Sequence, residues 1–236
     1  IVGGTPAAEG EFPYVVVLRL NGYLCGGSLI GRSYVLVAAH CLAFFNQTDV
    51  AGFYLLINTL SMDGGGPNYV TKRVKKFIIH PRFNKQFYNN DVALLVLSSP
   101  VAANSSFLNL PTNQAAATTL KPTTTNVSAT IAGWGTTSFG GSVSSTLLKA
   151  NVTILDNSIC AAQYGTTFVG ANMLCAAAPD TDTCQGDIGG PVIVNGVVVG
   201  ITSFAVGCAD PKYAGVYTRV STYVTWIQTT QANNPG

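Results

Sequence analysis

Pro191-Val192-Ile193-Val194-Asn195-Gly196-Val197-Val198-Val199 holds two apolar runs of strand length joined by Asn-Gly. Both central residues tolerate positive φ, so the pair closes a tight turn whose twist suits antiparallel strands, and the stretch predicts a β-hairpin. The same texture extends outward along the chain. Strand-length apolar stretches recur at residues 14–20, 34–38, 53–57 and 92–97, and 192–201 spans the hairpin itself. Gly64-Gly65-Gly66-Pro67 and Gly140-Gly141 punctuate them. Many short strands with polar turns indicate a barrel or sandwich architecture.

A chain of 236 residues suffices for one large all-β domain or two small ones, either with a core that needs no metal. Residues 98–128 are rich in Pro, Thr, Ala and Asn with little periodicity. They suit a connection between halves, and predict a first domain over 1–110 and a second over 111–236. Only the tail, 221–231, reads as a helix, with Ser221 as N-cap and Val224, Trp226 and Ile227 near helical spacing.

Charged residues make up 9% of the chain, and the mean hydropathy is +0.33. No run of about 18 apolar residues is present to span a bilayer, so the expectation is a soluble protein with few surface charges. A net charge of +2 gives no reason to expect nucleic acid as a partner. The one basic cluster, Lys72, Arg73, Lys75 and Lys76, is interrupted by Val74 and reads as a solvated strand edge in preference to a patch for acidic polymers.

Six cysteines, Cys25, Cys41, Cys160, Cys175, Cys184 and Cys208, can pair completely, and spacing alone leaves fifteen connectivities open. Neither a CxxC pair nor a zinc spacing occurs. Four Asn-x-Ser/Thr acceptors, at Asn46, Asn104, Asn126 and Asn151, agree with an oxidising secretory route and an extracellular protein. A chain beginning at Ile1 without Met has the look of a processed product.

The chemistry lies in Ile1-Val2-Gly3-Gly4, Ala38-Ala39-His40-Cys41, Asn90-Asp91-Val92-Ala93-Leu94-Leu95 and Asp182-Thr183-Cys184-Gln185-Gly186-Asp187-Ile188-Gly189-Gly190-Pro191. With Cys25-Gly26-Gly27-Ser28-Leu29, Ala132-Gly133-Trp134-Gly135 and Gly215-Val216-Tyr217-Thr218-Arg219-Val220, all in register, the whole chain resembles the trypsin-like serine peptidases. The Ala- and Thr-rich loops of the second half are most similar to secreted fungal trypsins. The resemblance implies two six-stranded antiparallel β-barrels with a short C-terminal helix. It also implies disulfides Cys25 to Cys41, Cys160 to Cys175 and Cys184 to Cys208, each worth roughly 3 kcal/mol on a chain-entropy account.

The family mechanism needs a hydroxyl nucleophile, an imidazole base and a buried carboxylate that orients the base. By resemblance His40 is the base and Asp91 the orienter, whereas His80 is an ordinary surface histidine. The nucleophile's position is taken by Ile188, which has no hydroxyl with which to form an acyl-enzyme. Ser203 is expected to bond Asp91, where it cannot attack. Around the missing hydroxyl the resemblance implies an activation salt bridge between Ile1 and Asp187, an oxyanion hole from the N–H groups of Gly186 and Ile188, and Asp182 beneath a pocket selecting Arg or Lys, with Gly215 on its wall.

Ser203-Phe204-Ala205 stands where Ser-Trp-Gly is usual, and the Ala205 methyl is expected to narrow the entrance. The loop at 52–67 offers only Asp63 as a carboxylate, so no calcium site is expected, nor any other metal or cofactor. The leading expectation is a secreted, zymogen-derived, glycosylated pseudo-peptidase. It would be a monomer that binds Arg- or Lys-bearing proteins and peptides, or protease inhibitors. The alternative is an active Arg/Lys-specific endopeptidase, which requires serine at 188 or a residual mechanism through His40. A structural or lectin-like role has no motif behind it.

Overall fold

The computed structural model describes residues 1–111 and 126–236. Its strands, in chain order, are β1 (Thr5–Pro6), β2 (Val15–Leu20), β3 (Tyr23–Gly31), β4 (Tyr34–Val37), β5 (Phe53–Ile57), β6 (Val70–Ile79), β7 (Ala93–Leu97), β8 (Val127–Gly133), β9 (Leu148–Ile154), β10 (Met173–Ala177), β11 (Pro191–Val194), β12 (Val197–Phe204) and β13 (Gly215–Arg219). The helices are α1 (Asn157–Tyr164) and α2 (Val224–Asn233), with short 3-10 turns between elements.

Two closed six-stranded antiparallel barrels result. The first runs β2-β3-β4-β7-β6-β5 and closes through β2 and β5. The second runs β9-β10-β13-β12-β11-β8 and closes through β8 and β9, with β1 added outside on β9. The fold is that of the chymotrypsin/trypsin barrels, as the resemblance implied. The connection expected at 98–128 is described only at its ends, because residues 112–125, just past the join expected near 110, lie outside the described residues.

Strand sequence explains the packing. In β2, with sequence VVVLRL, residues Val16, Leu18 and Leu20 alternate into the first barrel's core with Phe53 and Leu55. Val15 and Val17 face the other way, onto a layer with Leu56, Trp134 and Leu147. A strand buried on both faces reads as a continuous apolar run, not as an alternating one. The second core gathers Ile131, Val152, Leu174, Val192, Val199 and Tyr217.

The predicted hairpin forms between β11 and β12, with Asn195 at φ +49° and Gly196 at φ +74°. Asn21-Gly22 closes β2 onto β3 with the same signature, φ +50° and +95°. Both chain ends cross over. Ile1 joins the core of the second barrel, while Tyr223 and Ile227 from the C-terminal region join that of the first.

Four expectations need correction. Ser221 is not an N-cap: it lies in the 3-10 turn Val220–Tyr223, and α2 starts only at Val224 with no side-chain cap. The tail is not the only helix, since α1 is capped by the Asp156 carboxylate accepting from the Ser158 N–H at 2.8 Å. Its eight residues bury only Cys160, so no apolar stripe marks it in sequence. The basic cluster is not on an edge, because β6 pairs with β5 on one side and β7 on the other. Nor is His80 an ordinary surface residue: its ring packs 5.1 Å from Tyr223 and 4.9 Å from Trp226, and burial lowers its pKa, with Arg82 adding to the effect.

The three disulfides join Cys25 to Cys41, Cys160 to Cys175 and Cys184 to Cys208. Asn46, Asn104, Asn126 and Asn151 are all exposed. No described helix is long and apolar enough to cross a membrane.

Candidate active site

The register of the first barrel brings His40 and Asp91 together. In the β4–β7 pair Val37 lies opposite Ala93. The end of β4 therefore sits beside the start of β7, and His40, three residues beyond Val37, meets Asp91, two residues before Ala93. Asp91 is buried and is held from three sides. Its Oδ1 accepts from the His40 backbone N–H at 2.9 Å, and its Oδ2 bonds His40 Nδ1 at 2.5 Å and accepts from Ser203 Oγ at 2.6 Å. The Asp91 carbonyl accepts from Thr218 Oγ1 at 2.7 Å. A carboxylate partner assigns the imidazole proton to Nδ1 and leaves Nε2 as the basic nitrogen. Ser203, on β12 of the other barrel, thus ties the two barrels together at this point.

Residues 184–190 form two consecutive tight turns. Asp187 N–H donates to Cys184 O and Gly190 N–H to Asp187 O, each at 3.0 Å. The third positions are Gly186 at φ +96° and Gly189 at φ +89°, as the type II pattern demands of glycine. Ile188, the second residue of the second turn, donates no hydrogen bond to His40. Its carbonyl accepts from Gly26 N–H at 2.8 Å, and its side chain packs against the first barrel's core.

Asp187 stands where the two turns meet and points inward. Its Oδ2 accepts from the Ile1 ammonium at 2.8 Å and from Cys184 N–H at 2.9 Å, and its Oδ1 from Gly135 N–H at 2.8 Å. The ammonium also donates to the carbonyls of Thr136 and Gly135. Burial pushes the Asp187 carboxyl up, and the Ile1 charge and the two N–H donors oppose it. Every donor and acceptor of this buried pair is used, which is the condition under which such a pair is tolerated.

Asp182 is 3% exposed. It accepts from Thr183 N–H at 2.8 Å and Ala209 N–H at 2.9 Å, yet burial raises its pKa to about 6. No cation of the chain pairs with it among the described residues. A Cβ at Gly215 would stand 2.7 Å from Asp182 Oδ1, so glycine there keeps the carboxylate approachable.

A cavity of about 230 Å³ is lined by His40, Ile188, Ser203, Phe204 and Ala205 together with Thr183 and Gln185. Larger surface depressions of about 340 and 450 Å³ lie elsewhere, and neither contains a histidine. Sequence reasoning missed the aromatic wall. Tyr88, at φ +56°, stands 4.9 Å from the His40 ring and stacks at 5.8 Å on Phe204, which meets Tyr164 edge-on. Phe139, 68% exposed, reaches the cavity from the loop after Trp134. The only available signal was an aromatic pair, Phe87-Tyr88, just ahead of Asn89-Asn90-Asp91. Among the described residues no cluster of three His, Cys, Asp or Glu side chains is positioned to hold a metal.

The family model described as Trypsin matches residues 1–227. The chain belongs to the trypsin family. Curated relatives include the trypsin Blo t 3 of Blomia tropicalis, 39% identical over 97% of this chain and 85% of its own length. The trypsin of Sus scrofa is 38% identical over 99% of this chain and 96% of its own. Trypsin-1 of Astacus astacus is 35% identical over 97% and 98%. In this trypsin-like scaffold the side chain beside His40 in the cleft is an isoleucine.

Proposed function

We propose that this member of the trypsin family is a catalytically inactive pseudo-peptidase that acts by binding, with His40 and Asp91 as a base pair lacking a nucleophile. The observation that carries the reading is Ile188 in the turn beside the base. The serine and threonine hydroxyls lining the cavity are engaged elsewhere: Ser203 with Asp91, Thr202 with the Gly190 carbonyl, and Thr183 with Tyr217. Loss of a serine nucleophile costs roughly a million-fold in turnover. Isoleucine adds bulk, and a stiff χ1, where a scissile carbonyl would need to sit.

The rest of the reading follows from the groups around it. Asp182, desolvated and without a cation partner among the described residues, rewards an Arg or Lys side chain on a protein or peptide ligand, a protease inhibitor included. Ile1 and Asp187 are the activation pair of a zymogen-derived chain, and Gly186 with Ile188 the oxyanion donors. Three disulfides and four exposed sequons support a secreted, glycosylated protein, and its likeness to fungal trypsins and its monomeric state belong to the same reading.

The intact His40–Asp91–Ser203 network favours the one competing reading, an active Arg/Lys-specific endopeptidase. Incubation with an arginine ester and with a fluorophosphonate decides between them. The pseudo-peptidase gives neither turnover nor label, and either signal removes it.

A further inference from the structure

Two partly buried backbone donors in the 184–190 turns are left over. The N–H groups of Asp187, Gly189 and Gly190 donate to carbonyls, and that of Cys184 to Asp187 Oδ2. Those of Gly186 and Ile188, both partly buried, have no acceptor among the described residues. Gln185 also leaves its N–H unpaired, but it is exposed to solvent. Partly buried amides rarely stay unpaired, and donors grouped around a glycine of positive φ form a concavity suited to an anion. His40 lines the neighbouring cavity with Nδ1 committed to Asp91, so Nε2 is the ring nitrogen left for a ligand and becomes a third donor when the imidazole is protonated.

The isoleucine decides which anion. A peptide that continues past its anchoring residue must run alongside the branched Ile188 side chain and offers the donors only a neutral carbonyl. A peptide that ends at that residue needs no such room and brings a full negative charge, and hydrogen bonds to a charged group are about twice as strong as neutral ones. Asp182, buried directly behind the cavity-lining Thr183 and the Cys208–Ala209 segment and accepting from the Thr183 and Ala209 N–H groups, supplies the preference for a cationic side chain.

We infer that the cleft captures peptides by a free C-terminal arginine or lysine, its side chain directed to Asp182 and its terminal carboxylate to the N–H groups of Gly186 and Ile188. The inference rests on the pseudo-peptidase reading and names its ligand: the class of peptide released by Arg- or Lys-specific proteolysis.

Calorimetric titration of the whole chain with three peptides tests it: a hexapeptide ending in arginine with a free carboxylate, the same peptide as its C-terminal amide, and the same peptide extended by three residues. The free acid binds about tenfold more tightly than either of the others. A ratio below threefold against either one, or no binding of the acid at millimolar concentration, overturns the inference. Cleavage of the extended peptide after arginine instead overturns the pseudo-peptidase reading. A second readout is the amide resonances of Gly186 and Ile188 in a ¹⁵N-labelled sample. Both move on adding the acid and stay in place with the amide, and unmoved resonances at saturation with the acid overturn the inference.

Discussion

The Ile1 ammonium lies 2.8 Å from Asp187 Oδ2, and neither group is exposed to solvent. The pair holds the corner between the two turns of residues 184–190, so the first residue of the chain sets the shape of a loop 186 residues away. Asp187→Asn leaves a buried ammonium without its counter-charge, and removing one partner of such a pair costs about 3–5 kcal/mol. Guanidinium unfolding of the variant shows a midpoint lowered accordingly, whereas a loss under about 1 kcal/mol means that the pair does not hold the turn.

Ile188→Ser places a hydroxyl in the cavity that His40 also lines, with His40 Nδ1 already held by Asp91, and on the proposed reading this restores a nucleophile. Because the nucleophile is worth roughly a million-fold, a gain of at least about a thousand-fold in kcat/KM on an arginine amide substrate is expected even if other groups are imperfectly placed. If the variant stays inert, the double change Ile188→Ser with Ala205→Gly tests whether the methyl at the cavity rim is the second obstacle.

Asp182 governs two pH dependences of opposite sign. Its folded pKa, about 6, lies above the usual carboxylate value of 3.8, so the folded state holds the proton more tightly. Its contribution to stability is therefore largest below about pH 4 and falls as pH rises through 6. Binding of a small amidinium cation runs the other way and strengthens as pH rises through 6, because only the ionised carboxylate attracts it. Titration of benzamidine between pH 4.5 and 7.5 reads the second effect. Asp182→Asn flattens that profile and lowers affinity at pH 7.5 by about 10- to 100-fold.

Gly215→Ala places a methyl 2.7 Å from Asp182 Oδ1 and 2.8 Å from the Tyr217 hydroxyl. The carboxylate must turn away, so benzamidine affinity drops at least about tenfold while the near-ultraviolet circular dichroism spectrum is retained. Unchanged affinity means that the cation does not reach Asp182.

Legibility differed from element to element. Phe53–Ile57 is a strand over the very residues its apolar run marks, and Asn195-Gly196 turns where its tolerance of positive φ predicts. Those signals are local, since period and turn chemistry act within a few residues. α1 escaped notice because a short helix burying one residue has no periodicity to read, and the basic cluster was misplaced because edge or interior is a property of the partner strands. Tyr88 was missed for a related reason: its meeting with His40 and Phe204 depends on three separate segments.

The sequence by itself determined the strands and tight turns, the inventory of His40, Asp91, Asp182, Asp187 and six cysteines, and the absence of a hydroxyl at 188, because each is a matter of composition or local pattern. The family resemblance implied that His40, Asp91 and Ser203 meet and that Gly186 and Ile188 offer donors, but only the tertiary structure shows the contacts themselves: one hydrogen-bonded unit on Asp91, and two N–H groups without an acceptor among the described residues. The physical reason is register. Pairing of Val37 with Ala93 brings residues 51 apart into contact, and closure of the second barrel delivers Ser203 to the same carboxylate across 112 positions. No pattern within a single stretch of chain encodes such a meeting.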